Sequence, residues 1–80
     1  MDALGSASRH GIDHEDMQHA LKNALVVDEV GEDPVRWLVI GPDRAGNLLE
    51  LVVLDRSQGP ALIHAMRMRS KYRRLLEEGR

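Results

Sequence analysis

The sequence predicts an α+β fold, an antiparallel sheet of three or four strands with an N-terminal and a C-terminal helix, and three observations predict it. Apolar residues recur at helical spacing between positions 12 and 25, strand-like runs alternate with turn residues between 25 and 66, and a second helical pattern follows Ser70. Strands joined by short turns must run antiparallel, because a parallel return needs a crossover of about a dozen residues or more. Helices at both ends then make a layered α+β domain the economical packing.

The first element is announced by Asp13, a good N-cap, with Glu15 and Asp16 beside the positive end of the helix dipole. Ile12, Met17, Ala20, Leu21, Ala24 and Leu25 fall on one face and His14, Glu15, Gln18, Lys22 and Asn23 on the other, which predicts an amphipathic helix. Residues 1–8 are small and lack any hydrophobic period, so a mobile tail is expected there, ahead of a single domain over residues 9–80.

Residues 25–30 are β-branched enough for a short edge strand, ended by Gly31 and Pro34. Residues 36–40 read as a strand, and the dense turn signal of Pro42, Asp43, Gly46 and Asn47 leads into another over 48–54. That strand is apolar on both faces apart from Glu50, the pattern of a central strand covered on two sides. Residues 60–66 give the next strand, with Ala61, Ile63 and Ala65 on one face and Leu62, His64 and Met66 on the other. Ser70 can cap a last helix carrying Tyr72, Leu75 and Leu76, with Gly79 placed to end it.

With 80 residues there is room for one core. Trp37 and Tyr72 are the only aromatics, so that core must be built from Leu, Val, Ile, Ala and Met. The absence of cysteine excludes disulfides and thiolate metal sites and fits a cytoplasmic location. No apolar run is long enough to span a membrane, and no signal-peptide pattern opens the chain.

The net charge of −2 conceals a polarity along the chain. Residues 1–55 carry four Lys/Arg and eleven Asp/Glu, whereas residues 56–80 carry seven and two. Between Arg56 and Arg74 there are six cations and no acid, which points to an anionic partner or to the acidic face of another protein.

The four histidines suggest no metal site. Gly11 and Asp13 lie between His10 and His14, and the five-residue spacing of His14 and His19 points them apart. Residues 41–47 hold two glycines but lack the Lys-Ser/Thr ending of a phosphate loop and lead into a strand. No cofactor is expected.

Residues 63–74 differ in kind, because they bring His64, Tyr72 and the cations Arg67, Arg69, Lys71, Arg73 and Arg74 to a strand end and the first turn of a helix. Metal-free RNA cleavage needs a ribose 2′-hydroxyl deprotonated, a phosphorane stabilised and a leaving oxygen protonated. His and Tyr can move the protons, and Arg and Lys can hold the charge. A solvated basic helix face, with His64 packed at a sheet edge and Tyr72 in the core, accounts for the same residues without chemistry.

Taken in order, several short stretches resemble the BrnT family of bacterial toxins. Arg9-His10-Gly11-Ile12 followed by Glu15-Asp16 is similar to that family's Lys-His-Gly-Val stretch with its paired acids. Arg36 and Ile40-Gly41 match the start of its hairpin, Gly46 and residues 48–53 its central strand, and Ile63-His64-Ala65 its Ile-Ser-Ala-Arg motif, with Met66 at the arginine position. The likeness covers about residues 9–78 and lacks the family's first strand.

The resemblance implies a RelE-like fold and the toxin of a type II toxin-antitoxin system, a metal-independent endoribonuclease that cuts mRNA and is neutralised by an antitoxin protein. Arg36 is the functional residue it carries over, and in the expected mechanism the catalytic residues are Arg36, His64, Arg67 and Arg69, the arginines at the phosphate and His64 moving protons. RNA would be seated by Lys71, Tyr72, Arg73 and Arg74. The alternative is a non-catalytic binding module that uses the basic segment for a protein or nucleic-acid partner. A homodimer covering the central strand and the Met-rich edge is a third possibility.

Overall fold

The computed structural model describes residues 1–78. In chain order it contains β1 (Asp2–Ala3), a 3-10 turn (Gly5–Ser8), α1 (His14–Lys22), β2 (Val26–Gly31), β3 (Arg36–Pro42), β4 (Leu48–Leu54), β5 (Ala61–Arg67), a second 3-10 turn (Ser70–Tyr72) and α2 (Arg73–Glu78). The class is α+β, with five strands in the order β1-β5-β4-β3-β2. All neighbours pair antiparallel except β1, which runs parallel to β5 through Asp2 and Ala3.

The strand count and the start of the chain depart from the sequence expectation. Residues 1–8, expected as a tail, carry β1 and a 3-10 turn whose Ala7 is fully buried. Two backbone pairs and one methyl group are too short to produce a periodic hydrophobic signal, and the contacts they make are to residues about sixty positions away. The expected end of the last helix at Gly79 lies outside the described residues.

The main core lies between α1 and one face of the sheet. Met17 and Ala20 of α1 meet Val39 of β3, Leu49, Leu51 and Val53 of β4, and Leu62 and Ala65 of β5, with Ala7 closing one end. Burying a Leu or Met side chain of this kind stabilises by about 1.5–3 kcal/mol, so this layer holds the fold together. At Gly41 the helix and β3 touch backbone to backbone, because a Cβ there would collide with the Ala20 carbonyl oxygen.

Alternation along the strands sends the intervening residues to the opposite face. There Leu38, Ile40 and Ala61 are buried together with Glu50, the one buried charged side chain among the described residues. The chain after β5 folds over this face, bringing Arg69 to Glu50 and setting Arg73, Leu76 and Glu77 around a cavity that also touches Leu48 and Met68.

Asp13 occupies the N-cap position of α1 in extended conformation, as its sequence position suggests, but makes no side-chain cap. Its carboxylate instead faces Arg44, which also binds Glu15 at 2.6 Å and Asp16 at 2.9 Å. Arg44 belongs to the β3–β4 loop, so the acids of the first helical turn clamp that loop to α1. Within the loop, Asp43 Oδ1 accepts from the Ala45 and Asn47 amides, and Gly46 takes φ +88°. This is a hairpin turn with its own internal cap, which answers the question raised by its glycines.

Candidate functional site

Glu50 is the centre of the site. It sits midway along β4, opposite Ile40 of β3 and Met66 of β5, on the face away from α1. It has no solvent exposure. An isolated carboxylate in such a place is costly, so it must be neutralised or paired.

It is paired with Arg69 and His64. Oε1 accepts from the Arg69 amide at 2.9 Å and from its Nε at 3.0 Å, while Oε2 accepts from Arg69 Nη2 at 2.7 Å and from His64 Nε2 at 3.1 Å. Burial pushes the Glu50 carboxyl up, but the Arg69 guanidinium and amide and the His64 ring outweigh it and bring it down to about 2. The same bonds raise the Arg69 guanidinium above its ordinary value.

A β-bulge brings His64 to Glu50. Leu62 pairs with Val53 and points into the α1 core, so simple alternation would send His64 into that core as well. Instead Val52 pairs with His64 and Val53 with Leu62, leaving Ile63 as the extra residue that reverses the alternation. The sequence expectation that Leu62, His64 and Met66 share a face is therefore corrected. Leu62 and Ala65 face α1, and His64 and Met66 face away. The apolar run carries no mark of the bulge, because Ile63 is acceptable on either face.

Because Glu50 is ionised and can only accept, His64 Nε2 must carry the hydrogen, leaving Nδ1 for other work. A second imidazole stands beside it. The rings of His10 and His64 are 5.7 Å apart, centre to centre, and nearly perpendicular. His10 reaches that position because Gly11 turns the chain at φ +72°, a conformation suited to glycine. The parallel pairing of β1 stops at Leu62, so β5 has no strand neighbour on this side beyond that point, and the 3-10 turn Gly5–Ser8 packs against β5 instead. His64 is about a quarter exposed, which keeps its ring in reach of a ligand.

After β5, Arg69 is extended and its amide turns to Glu50. The chain then enters the 3-10 turn, whose Tyr72 ring lies 5.7 Å from the Arg69 guanidinium carbon and 5.0 Å from Lys71 Nζ, cation–π distances for both. Arg69, and not Ser70, holds the N-cap position of this turn. Arg73 and Arg74 are exposed at the start of α2.

Of the four residues expected to be catalytic, the structure brings two together, His64 and Arg69. Arg67 pairs with Leu49 and is exposed on the α1 side of the sheet. Arg36 pairs with Leu54, while Glu50 pairs with Ile40, so Arg36 lies four positions, about 13 Å, along β3 from the level of Glu50, and two strands away from His64. Arg36 instead lies against Gly31 of β2. Two residues that sequence reasoning did not single out complete the site, Glu50 and His10. Glu50 did carry a signal, as the lone acid inside a seven-residue strand that is otherwise apolar.

Among the described residues no three His, Cys, Asp or Glu side chains stand close enough to hold a metal ion. The chemistry available to the cluster itself is proton transfer at two imidazoles and anion binding by the guanidinium nitrogen of Arg69 that Glu50 leaves free. Comparison with protein-family models, curated proteins and solved structures returned no match to this chain.

Proposed function

We propose that this chain is the toxin of a type II toxin-antitoxin pair, a BrnT-like protein of RelE-like fold that cuts mRNA in the cytoplasm without a metal and is held inactive by its antitoxin. The observation that carries the reading is the His64 imidazole, oriented by the buried Glu50, set beside His10 and followed by a run of exposed cations. The order of helix, antiparallel strands and helix supports it as well.

In this reading RNA lies along the basic segment, with Lys71, Arg73 and Arg74 near its phosphates and Tyr72 available to stack on a base. His64 takes the proton of a ribose 2′-hydroxyl through Nδ1, and the 2′-oxygen attacks the adjacent phosphorus. The phosphorane is stabilised by Arg69, and the departing 5′-oxygen leaves with a proton from His10, while Arg67, on the α1 side of the sheet, serves at most a neighbouring phosphate. The products are a 2′,3′-cyclic phosphate and a 5′-hydroxyl. Arg36, at the far end of β3, contributes to binding a more distant phosphate.

The second reading is the non-catalytic binding module, and one observation favours it. Arg69 already commits two of its three guanidinium nitrogens to Glu50, which makes the pair a clasp for the basic segment whatever else it does.

Incubating purified protein with RNA, and following retention and fragment length, separates the two. Fragments ending in cyclic phosphate, lost in His64→Gln, support the toxin. Salt-sensitive retention without fragments supports the binding module. Expression in bacteria with and without the neighbouring gene completes the test, and unimpaired growth with well-folded protein rejects the toxin reading.

A further inference from the structure

The sheet has one long edge with no neighbour. β2 is paired to β3 on one side only, so alternate amides and carbonyls of its outer side are unpaired within the sheet. Leu25 is 60% exposed and Val27 61% exposed, and their spacing puts both on the α1 side. Val27, Trp37, Val39 and Leu21 line a shallow cavity of about 340 Å³ beside that edge. Proteins usually blunt such an edge, and here a bulge does so only at its far end, between Glu29 and Gly31.

The edge is also acidic. Asp28 and Glu29 lie on the strand and Glu32 and Asp33 in the turn that follows, and none of the four takes part in an ion pair among the described residues. Two copies of β2 pairing edge to edge in antiparallel fashion would place Asp28 and Glu29 of one copy near those of the other, and like charges at neighbouring cross-strand positions are destabilising. The charges therefore select against a second copy and in favour of a basic partner.

We propose that the free edge of β2 is a docking site for an extended, lysine- or arginine-rich segment of another protein, which joins the sheet as a sixth strand. Backbone hydrogen bonds supply the general affinity, apolar side chains of the segment rest on Leu25, Val27 and Trp37, and its basic side chains meet Asp28 on the other face, with Glu29 adding negative charge at the end of the ladder. The ladder is short, because the bulge turns the chain away after Glu29. This assignment does not depend on the ribonuclease reading.

The test uses the whole chain, isotope-labelled, and a capped nine-residue peptide alternating valine and lysine. The expected result is movement of the amide resonances of residues 25–29, with affinity falling about tenfold or more when salt is raised from about 50 to 500 mM. A peptide with glutamate for lysine, and the Asp28→Lys/Glu29→Lys double variant with the original peptide, should each bind about tenfold more weakly or worse. A peptide N-methylated at alternate residues should fail to bind, since it cannot complete the ladder. The proposal is overturned by unmoved resonances at millimolar peptide, by equal binding of the N-methylated or glutamate peptide, or by a free protein whose β2 amides are already protected in a dimer.

Discussion

Glu50 and Arg69, nineteen positions apart, are joined by three hydrogen bonds, two from the guanidinium and one from the Arg69 backbone amide. The side-chain bonds fix where the guanidinium lies, and the amide bond fixes where the main chain goes. Through this one pair the buried middle of β4 determines the path of the basic segment that follows β5.

Glu50→Gln keeps the shape of the side chain but removes its charge and turns an amide donor toward a guanidinium. The expected loss is about 1–3 kcal/mol, measured by urea denaturation. Hydrogen exchange should show the Arg69 amide losing protection well before the amides of β3 and β4.

The same carboxylate makes stability depend on acid. In the folded protein Glu50 titrates at about 2, below its ordinary value of 4.5, so the unfolded chain binds the extra proton as pH falls. Its contribution is fully present above about pH 4.5 and is lost as pH falls toward 2, and it amounts to about 2–3 kcal/mol after allowance for the half-exposed guanidinium. Plotted against pH, the stability of the wild-type chain should fall through this window, and that of Glu50→Gln should fall less steeply.

Gly41→Ala addresses the α1 layer. Its new methyl meets a backbone oxygen of α1, which cannot swing aside as a side chain would. A loss of about 3 kcal/mol or more is expected by thermal or chemical denaturation, far beyond what an added methyl does on an open strand.

Arg44→Ala, in contrast, removes exposed ion pairs to Asp13, Glu15 and Asp16. A small drop in melting temperature is expected at low salt, disappearing near 1 M salt, where charges about 3 Å apart or more are screened. A large drop that persists at high salt would show that the clamp works through packing.

For RNA cleavage, His64→Gln and Arg36→Ala should behave differently. The first removes proton transfer and is expected to lower the rate about 10²–10⁴-fold at unchanged RNA binding. The second removes a charge from the far end of β3 and should weaken binding with little effect on the single-turnover rate.

Much of this fold is legible in the sequence. The helix over 14–22, the edge strand before Gly31, the hairpin around Gly46 and the strand over 48–54 all show in local periodicity and turn chemistry. The same is true of the concentration of cations after Arg56. These features are written in neighbouring residues, and neighbouring residues are what a sequence pattern reports.

What the tertiary structure alone decided was which side chains meet. No local signal marks the bulge at Ile63, yet it turns His64 out of the core and onto Glu50. Nor does any pattern place His10 against His64, Arg69 on Glu50 or β1 on β5, because each joins residues far apart in the chain. The sequence by itself determined α1, the four longer strands and the charge along the chain, and showed a lone acid in an apolar strand. Only the folded sheet, by burying that acid, required the arginine and histidine that now surround it.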